Sequence, residues 1–119
     1  MKRLLEQATR MIKINSVTAN GNEEIANYVM DLLTGSGLKA KLQQVTHSLE
    51  HVSKRQFNVI GILGDQLVDR KIRKGLLLNT HLDTVGPGRN ENWTETFGAP
   101  FNAVIKDGRI YGLGAVDVK

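Results

Sequence analysis

The sequence predicts an α/β fold, a mixed sheet with flanking helices, on three observations. Two amphipathic helical stripes open the chain. Near-continuous apolar runs follow at 57–64 and 76–78, and an Asp-Gly hairpin signal stands near the end. Helices that must bury one stripe, and strands that leave no face for water, are satisfied when they stack as layers. At 119 residues the chain is long enough for one domain with a core and short for two.

Leu4, Leu5, Ala8, Met11 and Ile12 recur at helical spacing and predict a first amphipathic helix. The polar segment NSVTANGN, residues 15–22, breaks it. Asn22 is placed to cap a second helix, with Glu23 and Glu24 in its positively polarised first turn. Ile25, Val29, Leu32 and Leu33 form that helix's stripe, and Gly35 or Gly37 supplies a left-handed stop.

Residues 38–45 alternate apolar and polar, as a half-exposed strand does. The run FNVIGILG at 57–64 predicts a strand buried on both faces. Leu76, Leu77 and Leu78 predict a second buried strand, central in the sheet because three consecutive leucines leave no wet face. Residues 104–106 and 109–111 flank Asp107-Gly108, a favoured pair for a two-residue hairpin turn. Internal repeats and low-complexity tracts are lacking in the sequence.

Composition narrows the function. Hydrophobic residues make up 40% and charged residues 24%, ordinary for a globular protein, and the formal net charge is +4. Much of that excess lies in Lys54, Arg55 and the segment DRKIRKG at 69–75. Aromatic residues are only 5% and none interleaves with the basic run, so a solvated connector fits better than a nucleic-acid surface. The lack of cysteine excludes disulfides and thiolate metal sites. Met1 to Leu5 open like a signal peptide, but Glu6, Gln7 and Arg10 interrupt any apolar region. No apolar stretch approaches the roughly 20 residues needed to span a bilayer, so the expectation is a cytoplasmic protein without membrane or nucleic-acid partners.

The chemistry concentrates in the last third. His81 and Asp83 follow the end of the triple-leucine run, where ligands gather in open α/β sheets. Two residues apart in extended backbone, they share one side. A metal-bound histidine usually has its other ring nitrogen hydrogen-bonded to a carboxylate or carbonyl, and Asp83 either fills that role or orients a neighbouring ligand. As an isolated pattern, His-x-Asp more often describes a loop histidine beside a turn aspartate. Asp117 alone reads as a helix cap or a solvated carboxylate. Its setting says more: Gly112 and Gly114 allow a tight exit from the hairpin, and Ala115 and Val116 keep the approach apolar. A carboxylate buried there would need a cation, and its two oxygens suit it to bridge two metal ions.

The other candidates are weaker. Trp93, Phe97 and Phe101 are expected in the core rather than against substrate, and the polar loop 86–92 borders the site. His47 and His51 have helical ligand spacing without a third ligand, and are expected on the surface. No Gly-x-Ser-x-Gly elbow, nucleophilic cysteine or Walker-type loop is present.

Taken together, these segments resemble the N-terminal part of the zinc-dependent amidohydrolases and exopeptidases related to acetylornithine deacetylase, succinyl-diaminopimelate desuccinylase, aminoacylase and the carboxypeptidase G type. The family reads as an apolar strand, His-x-Asp-x-Val, a loop with Trp and Pro-Phe, a hairpin with Asp-Gly and Tyr-Gly-x-Gly, then Ala-x-Asp-x-Lys. The chain supplies Leu76 to Leu78, His81, Asp83, Val85, Trp93, Pro100, Phe101, Asp107, Gly108, Tyr111, Gly112, Gly114, Ala115, Asp117 and Lys119 in that order. The leading helices fit the family's opening too. One local departure is Gly86, which stands before Pro87 where the family often has proline at once.

The resemblance implies the fold of a zinc-exopeptidase-like catalytic domain, of which residues 1–119 are the N-terminal part. It implies that His81 ligates one zinc, that Asp117 bridges two, and that Asp83 is the catalytic carboxylate tuning a ligand. A complete site would hold two zinc ions, with cobalt or manganese as possible substitutes, and no organic cofactor. Its substrate would be an N-acyl amino acid or small peptide, and its homodimer would form through a smaller inserted domain. The family's general-base Glu pair, further acidic ligand, distal His and inserted domain all lie beyond the Asp-x-Lys. The expectation is therefore an inactive fragment whose parent hydrolyses an amide, its sheet left with an exposed apolar edge. The alternatives are a non-catalytic binding or assembly module, or a half-enzyme completed by a partner chain.

Overall fold

The computed structural model describes residues 2–45, 54–64 and 75–117. In chain order these hold α1 (Lys2–Lys13), α2 (Glu23–Gly35), β1 (Lys39–Val45), β2 (Gln56–Ile62), β3 (Val104–Lys106) and β4 (Arg109–Tyr111), with single 3-10 turns at Thr18–Asn20, Asn90–Asn92 and Thr94–Thr96. Two helices precede four strands, so the chain mixes helices and sheets as an α/β fold does.

The helices form where the stripes place them. In α1 only Ile12 is buried, while Leu4 is 68% exposed, so the stripe is covered at its carboxyl end alone. The cover comes from the far hairpin's exit. A Cβ on Gly112, whose φ is 149°, would stand 2.4 Å from Ile12 Cγ2, so only glycine permits this approach. In α2, Ile25 and Ala26 are fully buried. The helix stops at Gly37, where φ is 86° and the Gly37 N–H donates to Thr34 O while that of Leu38 donates to Leu33 O.

Asn22 occupies the cap position of α2, but its side chain makes no cap hydrogen bond. The amide instead grips β2: Nδ2 donates to Phe57 O at 2.9 Å and Oδ1 accepts from Phe57 N at 2.7 Å. It pairs with the strand's backbone as another strand would, and that double bond outweighs a single capping contact.

β1 and β2 pair antiparallel from Lys39↔Ile62 to Val45↔Gln56, and α2 lies against both. β3 and β4 pair antiparallel around Asp107 and Gly108, whose φ values of 51° and 72° fit the mirror-image turn that the Asp-Gly pair favours. Both described sheets are two-stranded. Parallel pairing is limited to one bridge, Val17↔Thr84, so among the described residues the mixed character rests on that single link.

Two expectations are corrected. The run at 57–64 forms β2, but none of its apolar side chains is fully buried, because β1 is its one described strand neighbour. The run at 76–78 forms no strand at all, and Leu76, Leu77 and Leu78 are 85%, 87% and 83% exposed. Extended backbone needs a ladder partner for its N–H and C=O groups, and the described residues offer this run none. The described core is accordingly small: Ile12, Ile14, Ile25, Ala26 and Leu113. The histidines His47 and His51, most of the basic connector at 69–75, and Lys119 lie outside the described residues. Among the described residues no helix is long and apolar enough to cross a membrane.

Candidate metal centre

The site begins with the segment that the Val17↔Thr84 bridge holds. The connector after α1 exchanges two backbone bonds with Thr84: Thr84 N donates to Ser16 O and Thr18 N donates to Thr84 O, both at 3.0 Å. The Thr18 hydroxyl donates to Asp83 Oδ2 at 2.6 Å. Behind Thr18, the buried Gln56 donates from Nε2 to Thr18 O at 2.7 Å. One line of hydrogen bonds thus runs from β2 through the connector to Asp83.

Asp83 in turn positions His81. Nδ1 of His81 lies 2.9 Å from the Asp83 backbone oxygen and 3.5 Å from its Oδ1. A carbonyl oxygen only accepts, so Nδ1 carries the proton and the neutral ring presents a lone pair at Nε2. Nε2 faces Asp117 Oδ1 at 3.2 Å. The structure brings His81, Asp83 and Asp117 together, and the anticipated contact of His81 with Asp83 runs through a different atom: the main-chain oxygen of Asp83 takes the shorter contact, and the carboxylate is turned toward Thr18.

Two acceptors that face each other at this distance need a cation between them. Without metal it is a proton, and the His81 pKa is raised above 6.5, first by the Asp83 backbone oxygen, against an opposing loss of solvation, with the Asp117 carboxylate adding to the rise. A metal ion fits the same place. Imidazole nitrogen and carboxylate oxygen each sit at about 2.0–2.2 Å from zinc, so two ligands of one tetrahedral ion are roughly 3.3 Å apart. The donor set therefore suits a divalent cation at two of its positions. Among the described residues no group of three or more His, Asp or Glu side chains could hold a metal ion.

Two further readings from the sequence need correction. Asp117 is exposed, its side chain 84% accessible, because residues 112–117 run as turns and Val116 points outward as well. Phe97 is 84% exposed rather than in the core: its left-handed backbone, φ 57°, ends the turn at Thr94–Thr96. Trp93 is half-buried and donates from Nε1 to Pro87 O at 2.8 Å, which ties down the loop beside the site. Trp93, Tyr111 and Val116 help line a cleft of about 250 Å³ next to Asp117 in the chain. Of the basic residues described, Arg55 pairs with Glu23 at 2.7 Å and stands over the Phe57 ring, a structural use of its charge. Thr18 was not singled out by sequence reasoning. Its signal, a hydroxyl residue inside a polar break, is common to most loops.

Comparison with known proteins points the same way. Residues 77–119 match the model of peptidase family M20/M25/M40, a metal-dependent family. The chain is 32% identical to an uncharacterized metallohydrolase of Methanocaldococcus jannaschii over 96% of its own length and 29% of the relative's. It is 31% identical to a probable succinyl-diaminopimelate desuccinylase of Staphylococcus aureus and 32% identical to an acetylornithine deacetylase of Proteus mirabilis, in each case over 86% of this chain and 22% of the relative. These matches bear out the resemblance to a hydrolase family. The chain spans between a fifth and three tenths of the length of these curated relatives. No solved structure matches the chain.

Proposed function

We propose that residues 1–119 form the amino-terminal part of the catalytic domain of a cytoplasmic, dizinc amidohydrolase that cleaves the amide of an N-acyl amino acid or small peptide. The observation that carries this reading is His81 Nε2 facing Asp117 Oδ1 at 3.2 Å while its Nδ1 is held by Asp83. A histidine so oriented is prepared to donate a lone pair outward. The names of the Staphylococcus and Proteus relatives supply the substrate class, since both describe removal of an acyl group from an amino acid.

In this reading His81 and Asp117 hold the metal, and Asp117 has a second oxygen free to bridge. Asp83 fixes the imidazole's tautomer and its direction. The metal, when bound, polarises the scissile carbonyl and acidifies a water molecule. The cleft beside Asp117, lined by Trp93, Tyr111 and Val116, offers an apolar wall for the substrate. A catalytic zinc usually takes three protein ligands, so with two donors among the described residues this stretch contributes half a site and no hydrolysis by itself.

That same shortage favours a second reading, in which a partner chain completes the site or the unit serves as a binding module. Hydrolysis of N-acetyl- and N-succinyl-amino acids by the protein expressed from its gene separates them. The proposal predicts amide cleavage that is lost on chelation and in Asp117→Ala. Cleavage that survives both contradicts it, and metal binding without cleavage favours the second reading.

A further inference from the structure

The connector between the helices reaches into the site from 65 residues away in sequence. We infer that Thr18 is a positioning residue: its hydroxyl holds Asp83 so that the His81 ring keeps its direction, with Nε2 open to a metal. The inference rests on the proposed role of His81 as a ligand.

Thr18 is bound at three points. Its N–H donates to Thr84 O at 3.0 Å, its carbonyl accepts from Gln56 Nε2 at 2.7 Å, and its hydroxyl donates to Asp83 Oδ2 at 2.6 Å with a longer approach to Thr84 O at 3.3 Å. The first two bonds fix the residue's main chain between β2 and the 83–84 segment. Only the third depends on the side chain, and it is short, as a hydroxyl bonded to a carboxylate is.

The consequence lies at the Asp83 backbone. Its carboxylate is pulled toward Thr18 and away from the imidazole, which leaves the main-chain oxygen as the nearer partner of His81 Nδ1, 2.9 Å against 3.5 Å for Oδ1. A main-chain oxygen cannot donate, so it selects one tautomer without ambiguity. Were Asp83 free to rotate, its carboxylate would compete for the ring and the ring would lose its fixed direction. The hydroxyl of Thr18 therefore acts on the metal through two intermediaries and touches none of the reacting groups.

The test replaces Thr18 with Val, which keeps the shape and the backbone bonds, and with Ser, which restores the hydroxyl. The first readout is the ring-nitrogen shifts of His81 by NMR at one pH where the ring is neutral. The second is zinc affinity by competition with a chromophoric chelator. Thr18→Val is expected to shift the ring-nitrogen signals as the imidazole loses its fixed direction, and to weaken zinc about tenfold or more, the usual cost of losing a ligand's supporting partner. Thr18→Ser is expected to recover both. Should the valine variant fail to fold, Thr18→Ala against Thr18→Ser makes the same comparison. Wild-type ring-nitrogen shifts and unchanged zinc affinity in the hydroxyl-free variant overturn the inference, as does failure of Ser to rescue. His81→Ala run alongside keeps the two ideas apart: if it leaves zinc binding intact, the ligand assignment itself has failed.

Discussion

Two apolar runs of similar composition meet different fates in this chain. FNVIGILG becomes β2, paired with β1 along seven residues and covered in part by α2. The leucines at 76–78 become no strand and stand in solvent. Hydrophobicity does not separate them; polar anchoring does. β2 is gripped at its start by the Asn22 amide and by the bond from Gln56 to Thr18, whereas among the described residues the leucine run gains a partner only past its end, at Thr84. An apolar run states a need for burial, and a ladder partner with satisfied backbone groups decides whether it is met.

The comparison can be broken first at its tightest contact. Gly112→Ala puts a methyl group against Ile12 in a left-handed backbone, and should cost about 3 kcal/mol from overpacking and strain together. Chemical unfolding would register it as a lower midpoint at unchanged slope. Asn22→Ala removes both bonds to Phe57 and leaves that backbone pair without its partner, an expected loss of about 2 kcal/mol. A loss under 0.5 kcal/mol would mean that the amide does not anchor β2.

Acidity probes the other end of the network. The folded pKa of His81 is raised above 6.5, so in the metal-free chain the bonds of the protonated ring, to the Asp83 backbone oxygen first and to Asp117 next, stabilise the fold below that pH and are lost as pH rises through the raised value. Zinc affinity should run the opposite way, increasing with pH as the proton leaves Nε2. Both trends should vanish in His81→Ala, the first in thermal unfolding against pH and the second in zinc titrations. The smallest effect is expected at the open run: Leu77→Gln should shift stability by no more than about 0.5 kcal/mol, since that side chain is 87% exposed. A larger loss would show that the leucines are covered in solution.

Much of this was legible in residues alone. The helices, the Asp-Gly hairpin and the alternating strand follow from periods and turn chemistry, which are local. His81, Asp83 and Asp117 were marked by their motifs, and the structure brings them within hydrogen-bonding distance. What escaped was non-local. The side chain of Asn22 has a local use as a cap and a distant one at Phe57, and only the tertiary arrangement shows which prevails. Thr18 lies far from Asp83 in sequence, and no periodicity connects them. The exposure of Leu76 to Leu78 and of Asp117 depends on what stands beside them, which neither residue's own identity encodes.

Calorimetric titration of zinc into the chain above neutral pH, repeated with His81→Ala and with Asp117→Ala, tests the central claim most directly. If these two residues are the chain's metal donors, each variant should weaken zinc at least about tenfold. Equal affinity in the wild type and both single variants would contradict the claim and place the metal elsewhere.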